Sequence, residues 1–162
     1  MRRTDREITD KDEIIKIIDK SDVCRIALSQ NNIPYIVPMN FGYIFENDRL
    51  VLYFHCAKEG KKLDIIKSNP AACFEMDCSS KIIPGEKACN YSIDFESVIG
   101  FGNIVITGDG EIEEKRKALN LIMQKYAPEK MFEFSGTDID SVTVLKFIVD
   151  DFTGKRRIKN KV

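Results

Sequence analysis

The 162 residues contain a single histidine, and its surroundings are the most chemically suggestive stretch of the chain. His55 closes the apolar run "LYFH" and is followed by Cys56, Ala57 and the lysine-rich "KEGKK" of residues 58–62. An imidazole there can donate or accept a hydrogen bond and can change charge near neutral pH. Lys61 and Lys62 open a segment of helical spacing. Two cations and the free N–H groups of a helix start would therefore meet at one point, which suits a phosphate. Gly60 would let the backbone approach such an anion closely. The G-x-x-x-x-G-K-S/T pattern of a nucleotide-binding loop is missing. Taken alone, the stretch also reads as a strand-end imidazole in water beside a solvated helix start.

Two further segments carry polar groups in apolar runs. "VPMNFGY", 37–43, is strand-like but broken by Pro38, which cannot donate a ladder hydrogen bond and so marks a bulge or an edge. Its Asn40 is polar within an apolar run, and the exposed backbone there could meet a flat polar ligand. "ESVIGFG", 96–102, sets Ser97 beside Gly100 and Gly102, which mark a bulge or a close approach. The plainer readings are an ordinary edge strand and a twisted barrel strand. No Ser/His/Asp set can be assembled from the spacing, and no base stands out for Cys56, so it is not read as a nucleophile.

The elements that must position these residues are legible from period and punctuation. Asp10 and Glu13 have N-cap and N3 spacing, and Ile14, Ile17 and Ile18 follow on one face, predicting a helix over 11–20. Cys24, Ile26 and Leu28 alternate with Arg25, Ala27 and Ser29 as a strand does. Gln30-Asn31-Asn32 turns the chain. A second strand is expected over 35–45 and a third over 50–55, joined by the turn at 46–49. Leu63, Ile66 and Lys67 fit a helical face that ends at Asn69-Pro70. Residues 71–78 form a fourth strand, 79–92 read as a loop around Pro84-Gly85, and 95–107 form the longest strand. "EIEEKRKALNLIMQKY" is the clearest helix, with Leu119, Ile122, Met123 and Tyr126 on one face and acids ahead of lysines. Residues 129–141 read as a short helix plus loop, and a last strand runs from 142 to 149. About six strands and two or three helices without βαβ alternation predict a mainly β fold, an antiparallel barrel or sheet with peripheral helices.

Composition narrows the function. The length suits one domain, taken as 1–154, followed by a basic tail at 155–162 expected to fray. Net charge is −1, which argues against general nucleic-acid binding. Five cysteines and one histidine offer no C-x-x-C pair and no workable zinc set, so no metal is expected; reduced, mostly buried thiols are. "MRRTDREITD" lacks the apolar core of a signal peptide, and no run is long enough to span a membrane. A soluble, cytoplasmic protein is expected, with no membrane partner.

Together, "RIALSQNNIPYIVPMNFGY", "LYFHCAKEGKKLDIIKSNPAACFEMD" and "SVIGFG" resemble the pyridoxamine 5′-phosphate oxidase-related flavoproteins, in particular their Nim-type (5-nitroimidazole resistance protein-like) branch. The likeness runs from "MRRTDREI" to "TGK". It implies an FMN-binding split β-barrel that works as a homodimer, with FMN at the subunit interface and a small-molecule electron acceptor such as a nitroaromatic. By that resemblance Val37, Pro38, Met39, Asn40 and Phe41 lie along the flavin. Phe54 and His55, followed by Cys56 and Ala57, stand beside the ring and ribityl chain. Gly60 and Lys61, with Lys62, hold the phosphate, and Ser97 and Val98 meet the flavin from a later strand. His55 is the expected catalytic residue of a flavin-dependent oxidoreductase similar to nitroimidazole reductases. The alternative is a flavin- or haem-binding storage protein on the same barrel, with His55 as an axial ligand. The oxidases proper carry an arginine–lysine pair where this chain has Gly60-Lys61, and a C-terminal tryptophan and arginine. This chain has no tryptophan, so vitamin B6 oxidation is not expected.

Overall fold

The computed structural model describes residues 3–157. Among the described residues eight strands and four α-helices follow one another: β1 (Glu7–Ile8), α1 (Lys11–Lys20), β2 (Cys24–Gln30), β3 (Ile33–Met39), β4 (Gly42–Glu46), β5 (Arg49–Cys56), α2 (Lys61–Ser68), β6 (Ala71–Ile83), β7 (Ser92–Ile106), α3 (Ile112–Tyr126), α4 (Gly136–Asp140) and β8 (Thr143–Arg157). All strand pairs are antiparallel, in the order β3-β2-β6-β7-β8-β5-β4, with β1 on β8. The hydrogen-bonded path does not close: β3 and β4 are its two ends. The expected antiparallel β architecture is present as an open sheet.

Burial follows the periods read from the sequence. Asp10 caps α1 by accepting from the N–H of Asp12, and Ile14, Ile17 and Ile18 face inward. α2 contributes Leu63, Ile65 and Ile66. Both helices seal one core, where Phe74 and Phe147 meet edge to face at 5.7 Å. α3 lies on the opposite, outer face of the sheet over β4 and β5, where Ala118 packs against Tyr53 and Val144. The glycines of β7 are forced by packing. A Cβ on Gly100 would stand 2.3 Å from the Phe74 ring, and one on Gly102 would stand 2.0 Å from the Ile148 carbonyl oxygen.

The structure corrects three sequence expectations. The strand predicted over 35–45 is two strands, because the chain leaves the ladder at Asn40-Phe41; Phe41 N–H donates instead to Tyr126 Oη at 3.2 Å. Pro38 lies within β3, an end strand with one partner, as its missing donor requires. Residues 79–92 are not a loop throughout. β6 continues to Ile83 past a bulge between Cys78 and Lys81, and pairs again as Lys81 with Asp94 and Ile82 with Ile93. Ser79 takes φ 59 there, which breaks the period that would have announced a strand. The last strand runs to Arg157, where Lys155 pairs with both Glu7 and Ser97. Lys155–Arg157 are thus part of the sheet, and 158–162, the rest of the expected tail, lie outside the described residues. Cys24 and Cys56 are buried, Cys73 and Cys78 half-buried and Cys89 exposed, all free.

Candidate flavin site

The turn from β5 into α2 builds a cationic corner. Gly60 has φ 141, which a residue with a Cβ rarely adopts. It serves as the N-cap of α2, and no side chain caps the helix. The Gly60 carbonyl accepts from Leu63 N–H at 2.9 Å and from Asp64 N–H at 3.4 Å. Lys61 is exposed and lies over the Tyr35 ring of β3 at 5.0 Å. Lys62, half-buried, is close enough to Cys56 to favour its thiolate. Burial outweighs that pull and pushes the Cys56 thiol above its ordinary value, so Cys56 stays a protonated, inert neighbour. Open helix-start donors, two lysines and a glycine with no atom within 4 Å of a would-be Cβ fit a phosphate monoester, the anionic end of FMN.

The strand period splits the other expected residues between two faces. On β5, Phe54 and Cys56 point into the core, and His55 points to the outer face with Tyr53. On β3, Val37 and Met39 turn inward, and Pro38 is exposed. Asn40 is exposed after the strand end, and Phe41 is fully buried. On β7, Val98 is fully buried while Ser97 looks outward. Phe54, Phe41 and Val98 can therefore meet a ligand only through their backbone, and they shape the site by packing. His55 pairs with Val144 of β8, and Ser97 pairs with Lys155 of the same strand. Those partners lie eleven positions apart, about 35 Å along a strand. One chain brings His55, Ala57, Gly60, Lys61 and Lys62 together, and does not bring Ser97 to them.

His55 opens on a cavity of about 250 Å³ lined by Leu119, Ile122 and Met123 of α3, Phe134, Asp138 of α4, and Val142. Arg116 holds the intervening segment by donating to the Phe134 carbonyl at 2.6 Å. Ser135 caps α4 and bonds Asp138, whose carboxyl is held below its ordinary range chiefly by the Ser135 hydroxyl. Sequence reasoning missed these residues as site elements. The Leu119–Ile122–Met123 face was legible as a helix face, but which strand it covers was not. Tyr35 was missed too, although an aromatic next to Pro34 on an edge strand is a plausible flat support for a cation.

An open antiparallel sheet with helices sealing its core is the fold of the flavin-binding split-barrel proteins. Solved structures of this class superpose on it: the FAD and heme binding protein from Mycobacterium smegmatis (13% identity, 95% of this chain and 74% of that one, TM-score 0.79), and the flavocytochrome Anf3 from Azotobacter vinelandii (18% identity, 98% and 72%, TM-score 0.78). These two establish the fold alone. A candidate 5-nitroimidazole antibiotic resistance protein from Bacteroides thetaiotaomicron is similar in sequence as well, at 36% identity over 93% of this chain and 86% of that one, with TM-score 0.79. The chain belongs to the pyridoxamine 5′-phosphate oxidase family, whose model matches residues 10–156. No curated protein matches the sequence.

Proposed function

We propose that the protein is an FMN-dependent oxidoreductase that works as a homodimer and passes electrons to a small-molecule acceptor of the nitroaromatic kind. The observation that carries the reading is the β5–α2 corner: an uncapped helix start, Gly60 at φ 141, and Lys61 and Lys62 beside it. FMN, when bound, supplies reversible two-electron transfer. Lys61 and Lys62 neutralise the phosphate, and the first N–H groups of α2 donate to it. The free edge of β3 around Val37 to Asn40 offers backbone donors and acceptors to a flat polar ring. His55 donates a hydrogen bond or a proton at the mouth of the α3–α4 cavity, and the apolar walls there exclude water.

The separation of His55 from Ser97 supports a site shared by two copies, one giving His55 and the cationic corner and the other giving Ser97. The outer face of the sheet supplies a surface for that pairing. Ile36, Ile99, Phe101, Val105 and Ile148 are exposed on it, and no helix among the described residues is long and apolar enough to cross a membrane.

The deciding experiment is an absorbance spectrum of the purified protein with FMN titration, followed by anaerobic reduction and addition of a nitroaromatic. Flavin bands and reoxidation by the acceptor are expected. Protein that takes up no FMN ends the proposal.

A further inference from the structure

The cavity beside α3 and α4 holds two polar groups in apolar walls. Leu119 and Ile122 of α3 are buried there, and His55 and Asp138 share the lining. His55 makes no hydrogen bond or ion pair among the described residues. Asp138 uses a single carboxylate oxygen. Its Oδ2 accepts from the Ser135 N–H at 2.9 Å and from the Ser135 hydroxyl at 2.6 Å. Its Oδ1 accepts nothing among the described residues. Ser135 alone holds the carboxyl below its ordinary range, and no cation contributes. Small-molecule cavities orient their ligands by a few such polar groups set in apolar walls.

The charge over the cavity has one sign. Residues 129–140 carry Glu129, Glu133, Asp138 and Asp140 against Lys130 alone, and these side chains are exposed. The nearest cation of α3 is already engaged. Arg116 donates to the Phe134 carbonyl at 2.6 Å and lies 3.9 Å from Glu113. The acidic excess is local, since the whole chain nets −1. On the other side of His55 the sign reverses, with Lys58, Lys61 and Lys62 at the corner where the FMN phosphate is placed. Low-dielectric walls lined by one sign of charge focus the field on what lies between them.

The two polar groups ask for different things. An imidazole N–H can donate to an oxygen of the acceptor, whereas a carboxylate can only accept. The matching ring carries an oxygen at one end and a donor at the other. The donor that gains most beside a carboxylate is a charged one. A carboxylate on the ring would meet Asp138 as a like charge.

We infer that the His55 cavity takes an aromatic acceptor bearing a protonated amine, and that Asp138 selects it over neutral and anionic rings. This rests on the acceptor site proposed above and adds the charge class of what enters it. Ser135 positions Asp138 by holding its other oxygen.

The single histidine supplies the probe. In untagged, FMN-loaded protein with carbon-13 in the histidine ring, one imidazole signal reports occupancy of the cavity. Oxidised protein is titrated near neutral pH and at low salt with para-nitrobenzylamine, para-nitrobenzyl alcohol and para-nitrobenzoate. The amine should bind about 5- to 10-fold tighter than the alcohol, between a screened surface pair and a charged hydrogen bond, and the benzoate weakest. Added salt should shrink the preference, and Asp138→Asn should abolish it. Ser135→Ala disturbs the same α4 cap, keeps the charge and should keep the order.

Equal binding of the three rings, tightest binding of the benzoate, or an amine preference that survives Asp138→Asn overturns the inference and leaves the flavin reading standing. An order lost equally in Ser135→Ala assigns the effect to the cap and overturns the role of Asp138. A signal that no ring moves overturns both the inference and the placement of the acceptor at His55. Protein that takes up no FMN overturns the electron-transfer reading, and the same titration of the flavin-free chain then decides the charge preference by itself.

Discussion

Replacing Lys61 by alanine separates the phosphate grip from the rest of the fold. The side chain is exposed, at the first position of α2, and its one described partner is the Tyr35 ring at 5.0 Å. An exposed cation–π contact contributes about 0.5–1 kcal/mol. A lysine at a helix N-terminus opposes the macrodipole by about 0.3–1 kcal/mol. The two nearly cancel, so the apo-protein should keep its stability within about 1 kcal/mol, a Tm shift of about 2–4 °C for a chain this size. A charge-assisted hydrogen bond to a phosphate contributes about 1.5–3 kcal/mol, which corresponds to FMN binding about 10- to 100-fold weaker. Riboflavin, which lacks the phosphate, should bind wild type and variant alike. Fluorescence titration of both ligands against both proteins reads the difference, and Lys61→Arg should retain FMN affinity. An equal loss for riboflavin and FMN, or no loss for either, refutes the placement of the phosphate at the β5–α2 corner.

Three further outcomes follow from the packing and the ion pairs. Gly102→Ala puts a methyl 2.0 Å from the Ile148 carbonyl oxygen; both atoms are tied to the β7–β8 ladder, so a destabilisation of about 3 kcal/mol or more is expected in urea unfolding. Tyr126→Phe removes the acceptor of Phe41 N–H and the donor to the Asp22 carbonyl, with an expected loss of about 1–3 kcal/mol; an unchanged unfolding midpoint would show that water replaces the phenol. Burial pushes the Glu96 carboxyl up, but bonds from Lys20, Ser79 and Arg156 outweigh it and hold it below its ordinary value of 4.5. The folded value is below the unfolded one, so its stabilisation is present above pH 4.5 and is lost as pH falls through the folded value. Glu96→Gln should flatten the fall in Tm below pH 4.5, and an acid limb identical to wild type would place the acid-sensitive group elsewhere.

The corner around His55 was legible because its signals are local. A strand period ending at His55, a glycine and two lysines at a helix start need no tertiary contact to be recognised, and the structure places His55, Gly60, Lys61 and Lys62 at one turn. The expectation that Phe54 and His55 face a ligand together ignored the strand period, which sends adjacent side chains to opposite faces. The hairpin beyond Cys78 was read as loop because a bulge removes the alternation that identifies a strand. Asn40-Phe41 gave no warning of a strand break, since the Tyr126 hydroxyl that takes up the freed donor comes from 85 residues away.

The amino-acid sequence by itself determined the class of the fold, the helices and most strands, the cationic corner and the family. All but the family rest on period, capping and turn chemistry within a few residues of one another; the family rests on the resemblance of three spaced segments taken together, and the family model matches residues 10–156. Tertiary structure alone decided which helix roofs His55, how far Ser97 lies from it and that the sheet stays open. It also decided that β6 resumes its pairing with β7 beyond the bulge at 78–81. These depend on register, and register accumulates over many paired residues: a shift that is invisible in any local window moves one end of a 15-residue strand from one site to another.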